Sequence, residues 1–479
     1  MCQGIVEEFA GIDLGDKRLN DRSRTILSAL SASPQASINA ACGEWKDTMG
    51  CYRFMENDNV PPEALLAPHR DCTLRRIDQE ATVLILQDTT ELDFSDHPAE
   101  DSGVLDREYR KGWYDHTHLA CTPDGKCLGV VKVDLFDRTA ESLGRTTERR
   151  NLPLEEKESY RWLEGYDTAN EIQQQVPNTK IISVGDSESD IYDIYLRAAS
   201  EESNVDFIVR AKLARNTLER APEQGKNAYV SVRDKVENSK LIATQCIELS
   251  RTPKRAARTA ALEIRAKTVE VRPPHKRRQL APVMLNVVSV IEVGRPADDP
   301  TAINWLLITS LPIDSLLEIQ RVIDYYKARW HIEVYFRVLK SGCRVEDMQL
   351  KANIRRHRCL MFYKIIAWRI LYLTYLGKKC PDLPCTAAFA EEEWKAAWTI
   401  VEDDPLPDNP PSINEFIPIL AALGGFNRRT GDGDPGPQVI WMGLRRLADF
   451  ALAWEKFRQN DDATSTPGKA KSKSKRGRK

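Results

Sequence analysis

The chain has 479 residues, is 42% hydrophobic and 29% charged, and carries a net charge of −2. Its length exceeds what a single core fills, so two or three domains are expected. The balance is that of a soluble globular protein and excludes a disordered or membrane-embedded chain.

Residues 1 to about 70 read as helical. Arg18, Arg22 and Arg24 stand beside Leu19, Ile26, Leu27 and Leu30, a pattern that suits a small basic helical module as well as an ordinary amphipathic helix. A catalytic core is expected over 71–375. Val83 to Leu86 is a short continuous apolar run ending near Asp88, and Ile181 to Val184 is another ending at Gly185-Asp186. Such runs are typical of strands buried on both faces. An acid just past the carboxyl end of a buried strand stands where site residues stand in an open α/β sheet. Taken singly, each aspartate reads equally as a helix cap.

Further strands are expected near 117–121, 127–135 and 206–211. Arg210 and Lys212 lie two apart and share a face if the last strand runs through both. Between Asp186 and Glu333 lie 146 residues, more than one crossover needs. A β-rich insertion is therefore expected at about 213–310, where residues 262–272 and 282–291 alternate in a strand-like way. Trp305 lies in its last strand, INWLLITS. A strand tryptophan is most often a core residue.

The segment DYYKARWHIEVYFRVLKSG holds Tyr326, Arg329, Glu333 and Lys340, at offsets of 3, 7 and 14 from the tyrosine. At about 100° per residue these fall within one stripe roughly 21 Å long if the segment is helical. Arg329 and Glu333 are also an ordinary i,i+4 pair. With the two aspartates, Glu333 completes three acids. Carboxylates converging at a sheet edge can hold two Mg²⁺ ions about 3.5–4 Å apart for phosphoryl transfer. Hard oxygen ligands suit Mg²⁺, with Mn²⁺ as substitute, and no Cys/His set with zinc spacing competes.

Cys359 to Leu376 is apolar but interrupted by Lys364 and Arg369, so it reads as a buried helix and not a membrane span. Residues 376–463 should form a C-terminal helical domain, with a good helix at 438–458. Charge is distributed in blocks. Residues 251–278 hold ten Lys/Arg against two Glu, residues 380–418 hold nine acids and one lysine, and the last eleven residues hold seven basic side chains and no acid. A near-neutral protein can thus present local basic surfaces to phosphates. The tail at 464–479 is expected to be disordered. Eleven cysteines without recurring pair spacing, and no signal peptide, point to free thiols in a reducing cytosol.

Y-(2)-R-(3)-E-(6)-K, read here at Tyr326, Arg329, Glu333 and Lys340, resembles the signature of a group of bacterial insertion-sequence DDE transposases. That group includes the cut-and-paste transposase of the kanamycin-resistance composite transposon. Asp88-Thr89-Thr90 and Asp186 with Asp190 match the family's first and second acid stretches. Gly112-Trp113 with His116, Phe207 to Lys212, Asn304 to Ser310, Leu14 to Arg18, and Tyr52-Arg53-Phe54 with Asn57 and Asn59-Val60 are also similar. The resemblance is firm over roughly residues 8–350.

It implies an α/β fold: a ribonuclease-H-like mixed-sheet catalytic core with an inserted β-sheet subdomain. A helical DNA-end-binding domain precedes it and a helical dimerisation domain follows. It implies Asp88, Asp186 and Glu333 as catalytic metal ligands. Tyr326, Arg329, Lys340, Arg210, Lys212, Trp305, Arg18 and Arg22 would contact DNA, with Trp305 against a flipped base. The implied partners are the terminal inverted repeats and target DNA, bound by a homodimer in a synaptic complex, in the cytoplasm of a bacterium. Nicking, hairpin formation and resolution, and strand transfer are the implied steps. A catalytically silent end-binding protein or repressor remains the alternative from another class.

Overall fold

The computed structural model describes residues 5–144, 152–221, 223, 228–249, 256–295 and 301–465. The basic tail from residue 466 onward and residues 251–255 of the basic run lie outside them. The chain divides into two compact units, one of residues 1–10, 18–52 and 369–479, the other of residues 11–17 and 53–368. This grouping does not follow the linear boundaries expected from sequence, because residues 53–70 belong with the larger unit.

The larger unit is built on one eleven-stranded mixed sheet. Its first part is β1 (Thr82–Asp93), β2 (Gly112–Cys121), β3 (Cys127–Phe136), β4 (Lys180–Gly185) and β5 (Asp206–Arg210). The order is β3-β2-β1-β4-β5. The first three strands form an antiparallel meander, and β4 and β5 join parallel to β1. This is the ribonuclease-H-like core. Val83, Leu84, Ile85 and Leu86 are all fully buried, which explains why the run does not alternate: both faces of β1 are covered. The helix Tyr160–Gln175 turns Trp162, Leu163, Tyr166, Ala169 and Ile172 into that core. Their spacing of one, three or four residues marks a single helical stripe.

The remaining strands are β6 (Asn216–Arg220), β7 (Tyr229–Ser231), β8 (Ala243–Leu249), β9 (Arg258–Val271), β10 (Val283–Glu292) and β11 (Asn304–Thr309). Sequence reading expects an all-β insertion, and two features differ. The short helix Val232–Glu237, capped by Ser231, buries Val232 and Val236. The insertion is also continuous with the core sheet, since β11 pairs antiparallel with β5, Leu307 opposite Arg210. Unpaired β5 would leave a sheet edge open, and β11 closes it.

The helix Asn353–Lys379 is long and apolar enough to cross a membrane, but 83% of its apolar window is buried inside the protein. Its charges explain the difference. The Lys364 ammonium and the Asp115 carboxylate of β2 form an ion pair with both side chains fully buried, and Lys364 also donates to Thr117 Oγ1 at 2.5 Å. Trp368 Nε1 donates to the Cys127 carbonyl at 2.8 Å, and the Arg76 guanidinium lies 4.3 Å from the Trp368 ring.

In the smaller unit, Ile26, Leu27 and Leu30 form the buried face of the helix Lys17–Ala32. The helices Glu391–Val401, Ile413–Leu423 and Pro437–Ser465 form its C-terminal part. The last two approach closely at two glycines. A Cβ on Gly424 would lie 2.0 Å from the Val439 carbonyl oxygen, and one on Gly443 would lie 2.0 Å from that of Leu420. Only glycine permits that spacing.

Candidate active site

The two aspartates come from neighbouring parallel strands. β1 and β4 pair in parallel up to Leu86 opposite Val184. Asp186 follows two residues later, just past the carboxyl end of β4, where α/β sheets carry their sites. Asp88, two residues beyond Leu86, does not end its strand as the apolar run suggested: β1 continues to Asp93, with Asp88 opposite Thr117 of β2, because pairing with β2 holds the chain in the sheet beyond the last pair with β4. Asp186 has an extended backbone, and its carboxylate accepts the Glu188 N–H at 2.7 Å. Asp88 accepts the Thr89 N–H at 2.8 Å.

Glu333 arrives from the other side of the sequence. The helix Leu316–Ala328 starts at a capping box of Ser315 and Glu318, and Arg329 links it to the helix Trp330–Arg337. Arg329 Nη1 donates to Asp88 Oδ2 at 2.7 Å, and Nη2 donates to Glu333 Oε1. One guanidinium therefore bridges the first and third acids.

The Asp88 carboxyl is pushed up to about 6, first by burial and then by the charges of Asp186 and Glu333, with Arg329 and the Thr89 N–H opposing. An anion held against that bias is relieved by a nearby cation. Three carboxylate side chains offer hard oxygen donors suited to Mg²⁺ or Mn²⁺. The donor chemistry fits a divalent ion. Among the described residues, however, no three His, Cys, Asp or Glu side chains are already gathered around one metal position. The guanidinium occupies the space between two of the acids.

If Asp88 is a metal ligand, its raised carboxyl holds a proton up to about pH 6, and below that pH the proton competes with the metal for the same oxygens. Divalent-ion affinity is therefore expected to be flat above about pH 7 and to fall about tenfold per unit below about pH 6. Calorimetric titration with Mn²⁺ across that range checks this, and constant affinity down to about pH 5 would refute the effect of burial. The sign for stability follows from the same shift. The folded chain keeps a proton that the unfolded chain has lost, so Asp88's contribution to stability is full below the ordinary carboxylate range and is lost as pH rises through about 6.

The other expected contacts fall into two groups. Tyr326 is only 6% exposed, its ring packs edge-on against Trp305 at 5.3 Å, and it lies near the charge of Arg210. Trp305 is half-buried and Arg210 exposed at the end of β5. These three form one aromatic and basic cluster. Lys212 does not share a strand face with Arg210, because β5 ends at Arg210. Buried Asp190 instead accepts the Lys212 and Leu213 N–H groups at 2.8 and 2.9 Å and pairs with Arg215 at 2.5 Å, pulling the chain out of the strand. The stripe expected from a straight helix is also altered at its end. Val338–Gly342 forms a π-helical turn, and Lys340 donates to the Glu91 carbonyl at 2.9 Å and pairs with Glu346 at 3.1 Å. Far along the chain, Arg18 is exposed at the start of its helix, and Arg22 pairs with Asp47 at 2.9 Å.

Sequence reading missed a layer of partners behind the acids. Arg161 donates to Thr89 Oγ1 at 3.3 Å and pairs with Glu188 at 3.5 Å, and Lys212 lies 3.9 Å from the same glutamate. Arg161 thus links the residue after the first acid to the turn carrying the second. Burial lowers its pKa. It carries no motif; its only sequence signal is an arginine between Tyr160 and Trp162, two aromatic residues at a helix start. His116 is a fully buried histidine of β2. Its Nδ1 lies 2.9 Å from Thr89 Oγ1, and burial holds its pKa well below the ordinary value, so the ring is neutral. Trp330, next to Arg329, is 55% exposed and was also passed over.

Three family models match the chain. Residues 1–60 match a transposase DNA-binding domain, residues 165–369 a transposase DDE domain, and residues 365–463 the Tn5 transposase dimerisation domain. Asp186 and Glu333 fall within the DDE match, and Asp88 precedes it. A cryo-EM structure of the piggyBac transposase synaptic complex with hairpin DNA aligns with 98% of this chain and 84% of its own, at a TM-score of 0.37 and 10% identity. That likeness is too distant to assign any residue. With three transposase models in register along the chain, on an α/β fold with a large mixed sheet, the protein is a DDE transposase, a metal-dependent enzyme with DNA-binding, catalytic and dimerisation regions in that order.

Proposed function

We propose that the protein carries out cut-and-paste DNA transposition at paired terminal inverted repeats, as the insertion-sequence transposases with the Y-(2)-R-(3)-E-(6)-K signature do. The observation that carries this reading is the bridge from Asp88 through Arg329 to Glu333, beside Asp186 on the next parallel strand. Asp88, Asp186 and Glu333 would hold Mg²⁺, or Mn²⁺ in its place. When bound there, such ions lower the pKa of an attacking water or 3′-hydroxyl and stabilise the leaving oxygen.

The protein's own residues bind and orient the DNA. The Arg329 fork suits two oxygens of one phosphate, and Lys340 supplies a point charge. Arg210 and Lys212 flank the second acid from the β5 end. Trp305 and Trp330 offer aromatic faces to an unstacked base, which suits a strand end folded back into a hairpin. The N-terminal helices with Arg18 and Arg22 would recognise the transposon ends. The final helix exposes Leu452 and Phe457, apolar surface that a homodimer in a synaptic complex would cover. Nicking, hairpin formation, hairpin opening and strand transfer are all phosphoryl transfers, so one acid set serves every step. Its place of action is the bacterial cytoplasm, at the nucleoid.

The test is a Mg²⁺-dependent reaction on labelled duplexes carrying the inverted repeats that flank the protein's own coding sequence. Specific 3′-end nicks followed by joined products support transposition. Cleavage without joining identifies a nuclease, and retention without cleavage identifies a silent end-binder. Within that assay Trp305→Ala should slow hairpin formation relative to nicking by a barrier of about 1–3 kcal/mol, the worth of one base–aromatic stack. Equal slowing of both steps would remove its special role.

A further inference from the structure

Two carboxylates brought together, here one from a strand and one from a helix, need a cation or they repel one another. Here the protein supplies its own. Arg329 spans Asp88 and Glu333 with two separate N–H groups, and the side chains of Arg329 and Asp88 are only 14% and 17% exposed. The guanidinium already engages Asp88 Oδ2 and Glu333 Oε1. An ion held by both carboxylates would compete with it for these groups.

The same fork is also suited to phosphate, which it can grip with two parallel hydrogen bonds. Arg329 stands at the junction of two helices, next to a tryptophan that is 55% exposed. The corner opens to solvent at Glu333, whose side chain is 33% exposed, so a ligand can approach the guanidinium from there.

We propose that Arg329 is a phosphate-operated latch on the metal site. In the DNA-free protein it occupies Asp88 and Glu333 and keeps divalent-ion affinity low. A DNA phosphate draws the guanidinium away and frees both carboxylates. DNA binding and metal binding are then positively coupled, and the coupling is reciprocal. Hydrolytic competence is confined to the DNA-bound protein. This rests on the reading of Asp88 and Glu333 as metal ligands.

The experiment measures Mn²⁺ binding to the full-length protein without DNA, by calorimetry and by the paramagnetic signal of free Mn²⁺. Arg329→Gln is expected to bind Mn²⁺ roughly tenfold tighter than wild type or more, because the competing cation is gone. Arg210→Gln makes the same charge change nearby without touching the acids, and should shift affinity far less. Equal gains in both variants would mean a bulk field effect and would overturn the latch, as would an unchanged Arg329→Gln. Arg329→Lys keeps the charge but cannot span both carboxylates. It should show a smaller gain, which keeps the question open to test if the glutamine variant does not fold; equality with wild type then overturns the latch. Asp88→Asn separates the two failures. If it weakens Mn²⁺ binding while Arg329→Gln does nothing, the latch fails and the metal site stands. If the gain of Arg329→Gln survives the added Asp88→Asn, the ion binds elsewhere and both ideas fail.

Discussion

Alanine at Asp88, Asp186 or Glu333 should each lower DNA cleavage by roughly a thousandfold or more, a barrier rise of about 4 kcal/mol, while DNA retention stays within a few-fold of wild type. Each acid reaches the site from a different element: a long antiparallel strand, the end of a parallel strand, and the second of two linked helices. None can substitute for another, because the neighbouring positions on each element point away from the site. Retention should persist because the region matching a DNA-binding domain lies at residues 1–60, away in sequence from all three acids. Parallel cleavage and gel-shift titrations measure both quantities. A proportional loss of binding would mean that the acids hold the fold and not the chemistry. Asp88→Ala also removes a partner of Arg329, so the conservative Asp88→Asn belongs in the same series.

The second large effect is on stability. Lys364→Ala is expected to cost about 3–5 kcal/mol, because it leaves the Asp115 carboxylate fully buried without its cation. Burial lowers the Lys364 pKa and Asp115 opposes it, so the pair persists only through mutual contact and the Thr117 hydroxyl. Replacing both partners together by apolar residues of similar size, Lys364→Met with Asp115→Leu, should recover most of the loss. Urea unfolding of the full chain reads both variants. A single-variant cost below about 1 kcal/mol would show that water reaches the pair. The same ion pair explains why an apolar helix of membrane-spanning length is a core helix here.

Much of the catalytic architecture was legible from local signals. The runs Val83–Leu86 and Ile181–Val184 lack alternation because both faces of each strand are covered, and that absence is visible in the residues themselves. The spacing of Arg329 and Glu333 depends only on helical period, so their shared face survives in the structure. Lys340 lies in a π-helical turn, which no local residue pattern announces. Lys212 leaves the strand because buried Asp190 captures its N–H from a separate turn. Sequence spacing assumes that an element continues, and at Lys212 a buried carboxylate from a separate turn ends it.

By itself, then, the sequence determined which segments are buried strands, that Asp186 follows the end of one of them, and which helical segment carries the arginine and glutamate. These follow from periodicity and residue type within about a dozen neighbours. That β1 runs on past Asp88 to Asp93 was set by its pairing with β2. Only the tertiary structure decided what those acids meet. It brought Arg329 onto an aspartate 241 residues earlier, set Arg161 behind Thr89 with Glu188, and closed β5 with a strand from the far end of the insertion. Pairings of that sequence separation are selected by the topology of the whole sheet and by the cost of leaving a buried charge or strand edge unmatched, and no local pattern encodes either.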